Sequence, residues 1–202
     1  MKNIESFEAP PKPWGIIATA LWALLQVLIL LIVAFVAGVV LTLWAGGNLD
    51  PRVLNGAMPA FVVLVSTVVQ VPVLAWVARR RGWQSADYLG WIVPNPRDAA
   101  VAFAVIVALL LASGVLRYFL GPDLSPSQIN MYRSALEAGW LVPLWIALVA
   151  AGPLNEELLF RGFLYRGWAR SPRAVVPAVV VISVLWASLH APGYQYDWFI
   201  IL

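Results

Sequence analysis

Cysteine is absent from the 202 residues, which removes disulfides, thiolate chemistry and cysteine-ligated metals. Charge is scarce. Asp, Glu, Lys and Arg together make up 11%, against roughly 25% in soluble chains, so a soluble globular domain is excluded. Histidine occurs once, at His190. No internal repeat and no low-complexity segment is visible. The formal charge is +3 and the pI near 9.5, but the Lys and Arg residues are scattered at the ends of apolar runs. No continuous basic face emerges, so nucleic acid is not an expected partner. Anchoring of loops against a membrane surface explains these cations better.

What the chain has in excess is apolar sequence. Hydrophobic residues reach 62%, concentrated in runs of membrane-spanning length, which predicts an all-α, polytopic transmembrane helical bundle with lipid as a partner. Residues 1–13 read as a polar, Pro-rich leader and residues 14–202 as the transmembrane helical domain. No small-residue cleavage site closes the first apolar run, which therefore reads as a retained helix. Five spans are expected, at about Ile16–Ala45, Gly56–Ala78, Ala99–Leu120, Trp140–Trp168 and Ala174–His190. Gln26 is the one strongly polar member of the first run. Pro72 and Pro153 are expected to bend the second and fourth spans. Ser125-Pro126 is expected to start a short amphipathic helix over Ser127–Ala138. Tryptophans at run ends, such as Trp14, Trp76, Trp83, Trp140 and Trp168, read as headgroup belts.

A sixth apolar run opens at Asp197 and reaches Leu202, too short to cross a bilayer, so the chain is expected to be part of a longer protein. Counting Lys and Arg gives an orientation. The leader, the second connection and the fourth hold Lys2, Lys12, Arg79, Arg80, Arg81, Arg97, Arg166, Arg170 and Arg173. The intervening connections hold only Arg52, Arg117 and Arg133. The positive-inside rule then places the N-terminus in the cytoplasm. A bacterial plasma membrane is the expected setting.

The most informative stretch is Asn155–Arg166, N-E-E-L-L-F-R-G-F-L-Y-R. Glu156, Glu157 and Arg161 stand inside an apolar run, where each charge costs about 2.5–3.5 kcal/mol near a bilayer centre. On an α-helix Glu157 and Arg161 are i and i+4, positioned to pair with the acid on the favourable N-terminal side. Glu156 is rotated about 100° away and faces a different partner. A carboxylate without a cation in a low-dielectric setting holds its proton more tightly, as a general base working near neutrality must. The fourth and fifth spans are antiparallel neighbours, so depths compare directly. Glu157 and His190 lie roughly 20 Å and 24 Å from the same surface at 1.5 Å per residue, within one helical turn of each other.

At these residues the sequence resembles the CPBP family of intramembrane endopeptidases, which includes the CAAX prenyl proteases and bacteriocin-processing relatives. E-E-x-x-x-R is present as Glu156, Glu157 and Arg161, with Pro153 upstream. An aromatic-x-x-x-His element is present as Trp186-Ala-Ser-Leu-His190, where the family usually has Phe. The recognisable part runs over roughly residues 140–192. The resemblance implies hydrolysis of a peptide bond in the membrane, with a peptide or lipidated peptide as substrate. It implies Glu156 as the base activating water, His190 holding that water or a metal, and Glu157 with Arg161 fixing the geometry. The cofactor stays open between a divalent metal such as zinc and none. Glu156 and His190 supply two ligands, fewer than the three protein ligands usual at catalytic zinc. The family pattern continues with a second His followed four residues later by Asn or Asp, which this sequence does not contain.

Blander readings compete. The charged triplet also suits a helix end dipping out of the bilayer, and His190 an imidazole at a helix C-terminus. A non-catalytic membrane protein serving binding, immunity or transport would use the same buried cluster. Other intramembrane chemistries fit poorly. Ala112-Ser113-Gly114 resembles a rhomboid serine context, but Leu111 stands where Gly belongs. No H-E-x-x-H occurs for a site-two zinc protease, and no paired aspartates in a glycine context occur for an aspartyl type.

Overall fold

The computed structural model describes residues 11–44, 47, 50, 52–120 and 126–191. Most of the leader and the apolar run opening at Asp197 lie outside the described residues. Every described element is helical. The long elements are α1 (Ile16–Trp44), α2 (Met58–Arg79) and α4 (Pro96–Leu120), with the short α3 (Ser85–Leu89) between the last two. α5 (Pro126–Glu137) lies across the far end, followed by α6, a continuous rod over Leu141–Trp168, and α7 (Val175–His190). Five helices are long and apolar enough to cross a membrane, and the chain is an integral membrane protein with an all-α, polytopic fold.

α2 continues through Pro72 as one helix. In α6 the winding itself changes: Ala147–Ala151 is π-helical, ahead of Gly152-Pro153. A proline ring collides with the carbonyl four residues back and offers no N–H to it, and a wide turn just upstream absorbs both faults. The rod turns α-helical over Gly152–Glu156, then π-helical again over Glu157–Leu164. The stretch Glu157–Leu164 therefore stands on a helix whose turn is wider than the α-helix assumed from spacing.

Packing holds this rod from one side. Leu158, Leu159 and Phe163 of α6 join Leu74, Val77 and Ala78 of α2, and Tyr88 and Leu89 of α3, in one buried cluster. Gly162 makes the contact feasible, because a Cβ there would run into the backbone of Leu89. Small residues matter here because lipid is as apolar as any helix face, so close van der Waals packing has to drive association. Tyr88 is fully buried, and its hydroxyl accepts the backbone N–H of Trp14 at 3.1 Å. Burial holds this phenol above the usual tyrosine range, while the Trp14 hydrogen bond and the charges of Arg166 and Arg81 pull the other way.

The tryptophans at this end are struts as well as belts. The Trp14 indole donates to the Val77 carbonyl at 3.1 Å, and that of Trp168 donates to the Thr19 hydroxyl at 2.8 Å. Arg81 and Arg80 lie over the rings of Trp14 and Trp76, at 4.2 Å and 4.5 Å from their centroids. α4, by contrast, shows every side chain described along it to the exterior.

Candidate active site

Glu156 ends the α-helical stretch of α6, and Glu157 begins the π-helical one. The two acids face different partners. The Glu157 carboxylate holds the Arg161 guanidinium, with Nη1 at 2.8 Å from Oε1 and 3.0 Å from Oε2. This pair is open to the outside, its side chains 52% and 79% exposed. Such an exposed pair contributes little to stability.

Glu156 turns towards α7. Its Oε2 accepts the indole N–H of Trp186 at 2.9 Å, and its Oε1 lies 3.6 Å from Nε2 of His190. Nδ1 of His190 lies 2.9 Å from the carbonyl of Trp186, one turn earlier. A carbonyl only accepts, so this bond puts a proton on Nδ1 and leaves Nε2 of a neutral imidazole as an acceptor. The imidazole also lies against the Trp186 ring, centroids 4.2 Å apart. At 3.6 Å, Oε1 and Nε2 are too far apart for a good direct hydrogen bond and close enough for one small molecule to bridge them. A cavity of about 740 Å³ opens beside them, between α6 and α7. Glu156, Glu157, Arg161 and Trp186 line it, with Ile182 and Val179 as apolar walls.

Of the four residues singled out in the sequence, the structure thus brings Glu156 and His190 together and joins Glu157 to Arg161 as a separate pair. Sequence reasoning missed a brace behind them. The Asn155 amide donates to Oε1 of Gln70 on α2 at 2.5 Å, and the Gln70 amide donates to the backbone carbonyl of Gln26 on α1 at 2.6 Å. Gln70 and Gln26 are buried, 3% and 1% exposed. The brace ties the residue next to Glu156 to two other spans. Its signal was present in the sequence, since Gln70, like Gln26, is an amide inside an apolar run. The role of Trp186 was likewise hidden, because the aromatic position was read only as a ring. An indole adds an N–H that Phe lacks.

Among the described residues, no three His, Asp or Glu side chains converge. Glu156 and His190 fall short of the three protein ligands usual at a catalytic zinc.

The structure is that of a helical membrane protein in which a carboxylate and an imidazole face each other across neighbouring spans. Residues 138–202, about a third of the chain, match the model of the Rce1-like family of type II CAAX prenyl endopeptidases. The match takes in α6 and α7, both acids, Arg161 and His190, and it bears out the resemblance read from E-E-x-x-x-R. No curated protein and no solved structure matches the chain.

Proposed function

We propose that the protein is an intramembrane endopeptidase in which Glu156 and His190 activate a water molecule. The observation that carries this reading is the 3.6 Å approach of Glu156 Oε1 to His190 Nε2, inside the segment that matches a protease family. A water beside both atoms would give one hydrogen to each and aim its oxygen lone pair into the cavity. As that oxygen bonds to the carbonyl carbon of a peptide, the carboxylate takes the water proton. The same proton passes to the departing amine nitrogen as the C–N bond breaks, and Glu156 is returned as a carboxylate. Trp186 fixes the second carboxylate oxygen, so that Oε1 keeps its aim. Glu157 with Arg161 sets the wall of the cavity where a substrate enters. The substrate class is a peptide or lipidated peptide reaching the site from the membrane. The bacterial plasma membrane, with the N-terminus in the cytoplasm, is the proposed setting.

The test is cleavage of a prenylated C-terminal peptide by the protein reconstituted in lipid, wild type against Glu156→Gln at equal membrane level. The variant is expected to lose cleavage. Full activity in Glu156→Gln would refute the assignment. Binding of the peptide by both forms, with no cleavage by either, would favour the non-catalytic reading.

A further inference from the structure

A second cavity, of about 600 Å³, lies at the end of the bundle where α2 finishes and α6 ends. Its lining includes four cations, Lys12, Arg161, Arg166 and Arg170, and no carboxylate. Arg161 is held by Glu157. The other three have no carboxylate within ion-pair distance among the described residues. Arg166 is fixed in place by neutral groups alone. It donates to the Asp87 backbone carbonyl at 2.5 Å and lies over the Trp83 ring at 4.8 Å. Trp83 and Tyr165 supply aromatic walls. Arg80 and Arg81 stand on the same end, stacked on tryptophans and in no ion pair among the described residues. So many cations left without acids, at the end of spans rich in Trp, is a poor arrangement for stability and a good one for an anion.

We infer that this cavity binds the phosphate of an anionic membrane phospholipid. The position selects lipid, because span ends and Trp rings lie at the depth of headgroups, and basic pockets between helices there receive anionic headgroups. The guanidinium forks of Arg166 and Arg170 suit the oxygens of a phosphodiester, and Lys12 adds a point charge from the segment leading into α1. The pocket also touches the proposed active site. Arg161 and Tyr165 line both cavities, so a phosphate in one lies against the guanidinium that pairs Glu157 in the other. Lipid composition would thereby reach the wall of the peptide cavity. The binding itself does not depend on the protein being a protease.

The full chain, reconstituted in nanodiscs of phosphatidylcholine and phosphatidylglycerol in equal parts, is released into native mass spectrometry and its retained lipids counted. The wild type is expected to retain phosphatidylglycerol in preference to phosphatidylcholine. Lys12→Gln with Arg170→Gln is expected to lower that preference by roughly fivefold per charge removed. A control with the same loss of charge at the opposite end, Arg52→Gln with Arg133→Gln, is expected to leave the preference unchanged. Equal loss in both double variants would overturn the site, since it would report net charge alone. Equal retention of both lipids by the wild type would overturn it too. So would displacement of phosphatidylglycerol by low concentrations of inorganic phosphate, which would identify a soluble anion as the ligand.

Discussion

The two flanks of α6 differ in almost every physical respect. Towards α2 and α3 the rod is sealed by Leu158, Leu159 and Phe163, with Gly162 pressed on the backbone of Leu89. Towards α7 it is open. Ala178 and Ile182 are the buried residues that α7 contributes, and a cavity of about 740 Å³ separates the two helices nearby. The apolar flank fixes where the helix stands, and the polar flank carries the groups proposed to react. Glu156 and His190 meet across the loose contact, so their geometry depends on how firmly the other flank is held. The π-helical turn over Glu157–Leu164 serves both sides, because a wider turn seats Gly162 on α3 while Glu156 still looks at α7. Wide turns of this kind often accompany functional sites.

Breaking each flank separately sharpens the contrast. The largest effect is expected on the open side: His190→Ala should lower peptide cleavage by roughly 100-fold or more, with little change in thermal stability, as read by a melting curve of the reconstituted protein. The sealed side should show the reverse. Gly162→Ala forces a Cβ into the Leu89 backbone and should cost about 1–3 kcal/mol, seen as a lower melting temperature. Gln70→Leu unties Asn155 from α2 and should cost about 1 kcal/mol of stability, a typical value for a hydrogen bond between spans. Cleavage should fall with it, and a chemical denaturation series would separate the two effects. Trp186→Phe keeps the ring beside His190 and removes the indole N–H from Glu156, so cleavage should drop roughly tenfold with stability nearly unchanged. The smallest effect concerns Tyr88. Its phenol is raised by burial, so the stability it contributes is complete below the ordinary tyrosine value of about 10 and is lost as pH climbs beyond it. Melting curves of Tyr88→Phe should therefore decline less steeply at alkaline pH than those of the wild type.

Much of this was visible in the residues. Apolar run length placed the five spans, because a bilayer leaves backbone polar groups no alternative to internal hydrogen bonds. The short helix after Ser125-Pro126 appears as α5, one residue off at each end. Depth counting along α6 and α7 put the acids level with His190, since a helix in a membrane has a nearly fixed rise. What spacing could not supply was rotation. A count of residues assumes 3.6 per turn, and Ala147–Ala151 and Glu157–Leu164 do not obey it. Nor could it pair amides across spans: Gln70 meets Asn155 only because α2 and α6 pack at that depth. The exposure of every described side chain of α4 also has no signature in its sequence, which is as apolar as that of a packed helix.

The absence of native cysteine makes the central meeting directly measurable, because two introduced thiols can report only on each other. Glu156→Cys combined with His190→Cys, treated in membranes with a short thiol cross-linker, should give an internally linked chain of altered gel mobility. Glu157→Cys with His190→Cys should link far less, since Glu157 turns to Arg161. Equal linking in both pairs, or none in the first, would contradict the shared water on which the proposed hydrolysis rests.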